Sequence, residues 1–109
     1  MGPEPRSIAL KDRVGFVVAL FKADINKVSP ELAKLYSEAA EDFANHGGKS
    51  RAWSTSEQIA AALINGKPAQ LPQGHSDPIS AAERLHNGGE GSWHTVLHVR
   101  EVGTGKYLP

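Results

Sequence analysis

The sequence predicts an α+β domain that is mainly α: about four helices, the first two an antiparallel hairpin, followed by a C-terminal β-hairpin. Three observations lead there. Apolar residues recur at steps of three and four through most of the chain, the period of a helix face. Two helix starts are marked by a capping residue followed by proline, Ser29-Pro30 and Asp77-Pro78. From Trp93 onward the period changes to two, as in a strand.

Residues 1–7 (MGPEPRS) are rich in Pro and Gly and are expected to form a disordered tail. Residues 8–109 then form a single small domain, since a chain of 109 residues leaves no room for two independent cores. Leu10, Val14, Val17, Phe21, Ile25 and Val28 make a first helical stripe. Val14–Phe21 (VGFVVALF) also reads as a buried strand, but the stripe persists over about five turns, longer than a usual strand. Gly15 within it costs about 1 kcal/mol relative to Ala. A short Lys27–Ser29 link leads to the second helix, hence the hairpin.

The second helix opens with Ser29 as its cap and Pro30 at the first position. Leu32, Leu35, Tyr36, Ala39, Ala40 and Phe43 form its apolar face, and Asn45-His46-Gly47-Gly48 ends it. For the third helix, Thr55 and Gln58 have capping-box spacing. Ile59, Ala60, Ala62 and Leu63 supply its apolar side, and Asn65-Gly66 stops it. Residues 67–76 read as a loop. A fourth helix follows Asp77-Pro78, with Ile79, Ala82 and Leu85 inward and a stop near Asn87-Gly88-Gly89. In Trp93–Val102, alternation of Trp93, Thr95, Leu97 and Val99 with His94, Val96, His98 and Arg100 reads as a strand. Gly103-Thr104-Gly105 is then a turn and Lys106–Leu108 a short returning strand. The expected core is Val14, Val17, Phe21, Ile25, Leu32, Leu35, Tyr36, Phe43, Ile59, Leu63, Ile79, Leu85, Leu97 and Val99.

Composition excludes several classes. Twelve basic residues balance twelve acidic ones, so no surplus of Lys and Arg rewards bulk binding to nucleic acid or an anionic membrane. The balance is not uniform: residues 1–28 carry a net +2, residues 29–46 a net −3, residues 47–66 a net +1, and residues 67–109 are neutral. Near-zero charge eases self-association. Cysteine is absent, which removes disulfides, thiolate nucleophiles and Cys-ligated metal. Val14–Phe21 is too short to span a bilayer, which needs about 20 apolar residues. Glu4 and Asp12 interrupt the basic flank that a signal peptide would require, and no cleavage pattern follows. The expected location is therefore cytoplasmic.

Several groupings bear on chemistry. His94 and His98 have the i,i+4 spacing of helical zinc ligands. On a strand, four residues at about 3.3 Å each put them about 13 Å apart, too far to share one ion. The strand reading therefore implies no metal here. His46-Gly47-Gly48-Lys49-Ser50 lacks the first glycine of a phosphate-binding loop, because Phe43 stands there. Gly74-His75-Ser76-Asp77 places His, Ser and Asp side by side, whereas a triad is assembled in space. Glu31, Glu38, Glu41 and Asp42 line the outer side of the second helix. They read first as a solvated face and otherwise as an acidic docking surface for a basic partner.

These features favour a small interaction or regulatory module that docks to a partner protein or to itself, with no cofactor. Arg51, Trp53, His94, His98 and Arg100 are its candidate contacts, because Trp and Arg are frequent interface anchors. One alternative is a DNA-binding regulator. The order helix, helix, strand, Gly-Thr-Gly turn, strand resembles a winged-helix domain, and Thr55–Ala60 resembles the start of a helix-turn-helix. Against it, the loop between the helices is long and the second helix offers only Arg84 and His86 for contacts, beside Glu83. A third reading is a small enzyme that uses histidine acid–base chemistry.

Overall fold

The computed structural model describes residues 23–47 and 52–109, and these are all-helical. Among the described residues there are four α-helices: α1 (Pro30–His46), α2 (Thr55–Asn65), α3 (Pro78–Asn87) and α4 (Glu90–Val102). Short 3-10 turns occupy Ile25–Lys27, Pro68–Gln70 and Thr104–Lys106. The expected C-terminal β-hairpin is absent, and the α+β class is corrected to all-α. The tail at 1–7, Leu10 to Phe21 of the first stripe, and core candidates Val14, Val17 and Phe21 lie outside the described residues.

Helix α1 begins as the sequence implies. The Ser29 side chain accepts from the Leu32 amide at 3.2 Å, with Pro30 in the first turn. It ends at Gly47, whose φ of 71° is the left-handed conformation that glycine adopts freely. Ala33, Tyr36, Ala39, Ala40 and Phe43 are buried, while Leu32 and Leu35 pack half-buried at the margin of the core.

Helix α2 is the centre of the molecule. It packs against α1, α3 and α4, and Ile59–Leu63 are fully buried in succession. Three of those five are alanines, so neighbouring helices can approach from several sides. Its capping box sits one residue earlier than Thr55/Gln58. Ser54 accepts from the Glu57 amide at 3.1 Å, and the Glu57 carboxylate accepts from the Ser54 amide at 2.9 Å. The overlapping Ser-Thr-Ser-Glu-Gln sequence offers both frames, and the charged Glu57 makes the stronger reciprocal acceptor. Ser54→Ala is therefore expected to destabilise the protein by about 1 kcal/mol, while Thr55→Val stays within about 0.5 kcal/mol. Urea unfolding of the two variants checks the frame; a larger loss at Thr55 would reverse it.

Helix α3 is capped by Asp77, which accepts from the Ile79 and Ser80 amides. Its buried face is Pro78, Ala81, Ala82 and Leu85, so Ile79 falls outside it and is 51% exposed. Ile25 is likewise exposed, on a 3-10 turn capped by Asp24 rather than in a helix. Both are corrections to the expected core.

Gly88 and Gly89 break α3 from α4, and Gly89 (φ 144°) is in a conformation reserved for glycine. Helix α4 replaces the expected strand. Trp93, Thr95, Val96, Leu97, His98 and Val99 are all buried. Successive side chains advance about 100° around a helix, so this run buries most of its circumference. The helix is enclosed by α1, α2, α3 and the Ile25–Lys27 turn. A helix buried over most of its circumference shows little amphipathic contrast, and its Thr and Val content then imitates a strand.

The core joins Tyr36, Ile59, Leu63, Leu71, Leu85, Trp93, Val96 and Leu97, with a second cluster of Ala39, Ala40, Phe43, Trp53 and Ala61 beside it. Asn65 ties the two sides together by donating to the Ala40 carbonyl at 2.9 Å and to Gln70 Oε1 at 3.1 Å. No helix among the described residues is long and apolar enough to cross a membrane.

Candidate functional site

Of the five candidate contacts, Arg51 lies outside the described residues. The other four hold intramolecular bonds. Trp53 is 7% exposed and packs with Phe43 and the alanines of α1 and α2. Its indole Nε1–H donates to Asp42 Oδ2 at 2.7 Å, and its carbonyl accepts from Gln58 Nε2 at 2.9 Å. The loop before α2 is thereby pinned onto α1.

His94 Nδ1 accepts the Asp24 amide at 3.0 Å, and the next residue, Thr95, accepts the Ser29 amide through Oγ1 at 3.0 Å. A neutral His94 making that bond carries its proton on Nε2. His98 is 7% exposed; its Nε2 lies 2.6 Å from the Tyr107 hydroxyl, and the two rings meet edge to face at 5.8 Å. Arg100 Nη1 donates to the Leu63 carbonyl at 2.8 Å and the Ile64 carbonyl at 3.1 Å, at the C-terminal end of α2. Burial lowers the Arg100 pKa from its ordinary value, yet a guanidinium remains charged in proteins.

Alternation on a strand would put His94, His98 and Arg100 on one face; the helix does not. Arg100 sits about 200° around the axis from His98, so His94, His98 and Arg100 do not share one face. Helical spacing does bring His94 and His98 together, as a strand would not. His98 Nε2 is nevertheless held by Tyr107, and no group of three His, Asp or Glu that could hold a metal is found among the described residues. The wing of a winged helix would have to come from Trp93–Leu108, which is α4 and a 3-10 turn. That topological likeness does not hold.

Among the described residues, two surface depressions bear on the site. One, of about 550 Å³, is lined by Ser56, His75, Ser80, Glu83, Arg84 and Asn87. Ser80 is bonded to its own cap Asp77. Among the described residues, His75 makes no side-chain hydrogen bond to the serines that line this cleft with it. The other is a groove of about 430 Å³ between α1 and the Trp53 loop, lined by Glu38, Glu41, Asp42, Asn45, His46, Trp53 and Leu108.

This groove combines charge with an apolar edge. Asp42 is committed: one oxygen accepts from Trp53 and the other lies 3.0 Å from His46 Nδ1. Glu38 and Glu41 make no hydrogen bond or ion pair among the described residues, which leaves two carboxylates lining a groove that the exposed edge of Trp53 also lines. The acidic face of the second predicted helix was visible in the sequence. The contributions of Trp53 and Leu108 beside it were not, because each depends on a fold-back that local periodicity does not encode.

No family model, curated protein or solved structure matches the chain.

Proposed function

We propose that this chain is a protein-interaction module that docks a basic segment of a partner protein in the groove on α1. The observation that carries the reading is the pairing of Glu38 and Glu41 with the edge of Trp53 in one depression. A Lys or Arg side chain suits such a groove, laying its aliphatic stem along the exposed edge of Trp53 and its charged head between the carboxylates. The acidic helix supplies the long-range attraction, which speeds encounter at low salt. An individual exposed ion pair is worth only about 0–1 kcal/mol, so affinity depends on the aromatic contact together with both carboxylates.

The test is affinity capture from the native host with the full chain and with Glu38→Gln/Glu41→Gln, followed by mass spectrometry. The expected result is a stoichiometric partner, released by raised salt and lost from the double variant. A partner retained equally by both baits, or no stoichiometric partner, would overturn the reading.

A further inference from the structure

One wall of the groove does not belong to a helix. Leu108 comes from the segment that follows α4, and it lines the groove beside Trp53. That segment leaves α4 at Gly103, whose φ of 90° and ψ of 153° lie where a side chain is strained. The Thr104–Lys106 turn then packs against α1 and α4. Its backbone bonds are local, Lys106 N–H to the Gly103 carbonyl and Tyr107 N–H to the Thr104 carbonyl. Among the described residues, the side-chain hydrogen bond that fastens it to the helices is Tyr107 to His98.

We propose that Gly103–Leu108 is a strap that keeps the groove partly closed, hinged at Gly103 and bolted by the His98–Tyr107 bond. The inference rests on the groove reading above. Leu108 lines the groove together with the exposed edge of Trp53, where the stem of an incoming cationic side chain would lie. A docking segment must displace it, and the bolt sets the cost of displacement. The segment moves as a unit, because its internal backbone bonds survive rotation at Gly103. His98 is buried on the core side of the bolt, so it stays in place while Tyr107 leaves.

The experiment uses the full chain and a labelled octapeptide of alternating Lys and Leu. Tyr107→Phe keeps the ring and removes the hydroxyl; Leu108→Ser keeps the bolt and clears the groove. Amide exchange of residues 104–108 is expected to accelerate in Tyr107→Phe while α2 amides keep their protection. Tyr107→Phe is expected to bind the peptide about threefold to tenfold more tightly than the parent, the range set by the net worth of one hydrogen bond. Leu108→Ser is also expected to bind it more tightly because the groove is cleared. Unchanged exchange in Tyr107→Phe, or faster exchange without tighter binding, would overturn the strap. Loss of α2 protection in Tyr107→Phe would show a part of the fold rather than a latch, and would also overturn it. If Glu38→Gln/Glu41→Gln binds the peptide as well as the parent, the groove reading fails and takes the gating role with it. The exchange data still report separately whether the bolt holds.

Discussion

Replacing Trp53 with alanine is expected to lower the free energy of unfolding by about 3–5 kcal/mol, the usual loss for truncating a buried aromatic. The indole fills the second core cluster with Phe43, Ala39, Ala40 and Ala61. The alanines around it cannot expand into the vacated space, so the cavity persists. Asp42 also loses the donor at 2.7 Å. Trp53→Phe separates the two effects: it keeps much of the packing but leaves Asp42 Oδ2 without the indole N–H. Its expected cost is about 1.5–3 kcal/mol, that of a hydrogen bond to a charged group. Urea unfolding of both variants reads the difference. A shift below about 1 kcal/mol for Trp53→Ala would contradict its placement in the core.

Arg100→Ala is expected to cost about 1.5–3 kcal/mol. The last carbonyls of a helix lack partners in its regular ladder. Arg100 reaches across from α4 to that of Ile64 and adds a second donor to that of Leu63, which also accepts the Gly66 N–H at 3.2 Å. Its charge also faces the negative end of the α2 dipole. The site is built tightly around it: a Cβ added at Gly66, already at φ 65°, would lie 3.1 Å from Arg100 Nη1. Arg100→Lys provides the sharper comparison. A lysine keeps the charge but not the planar fork, and is expected to recover about half of the loss. Full recovery by lysine in thermal unfolding would assign the effect to charge alone.

The starts of α1 and α3 were legible because a cap and a proline are local signals, readable from two adjacent residues. Ser29-Pro30 and Asp77-Pro78 both behave as their chemistry implies. The inward faces were legible where one side of a helix is wet. Tyr36, Phe43, Ile59, Leu63 and Leu85 are buried as expected, and so are Leu97 and Val99, although on a helix. On α3 the stripe turned by one position, since Ala81 could be buried in place of Ile79. Alanine is less hydrophobic than isoleucine but small enough for a crowded helix contact, and the contact decided.

Helix α4 was illegible for a related reason. Its start is Gly89, which makes no side-chain cap, and Gly91 follows, where a Cβ would lie 3.2 Å from the Lys27 carbonyl. A sequence with two glycines in place of a cap, then β-branched residues at buried positions, carries no local mark of a helix. Only the surrounding α1, α2 and α3 supply the reason. The same dependence on distant chain hid the groove. Glu38 and Glu41 were readable as an acidic face, but the indole and Leu108 join them from 11 or more residues away from Asp42.

The bonds from His94 to the Asp24 amide and from Thr95 to the Ser29 amide span 70 and 66 residues. During synthesis, at about 5–20 residues per second, α1 and α2 leave the ribosome several seconds before the residues that hold the approach to α1 and seal the end of α2. The nascent chain must therefore wait, with a wet Ile59–Leu63 face, for the segment around residues 94–100. That interval is when a holding chaperone has the most to bind, and a ribosome stalled before residue 94 displays a helical array that cannot yet lock.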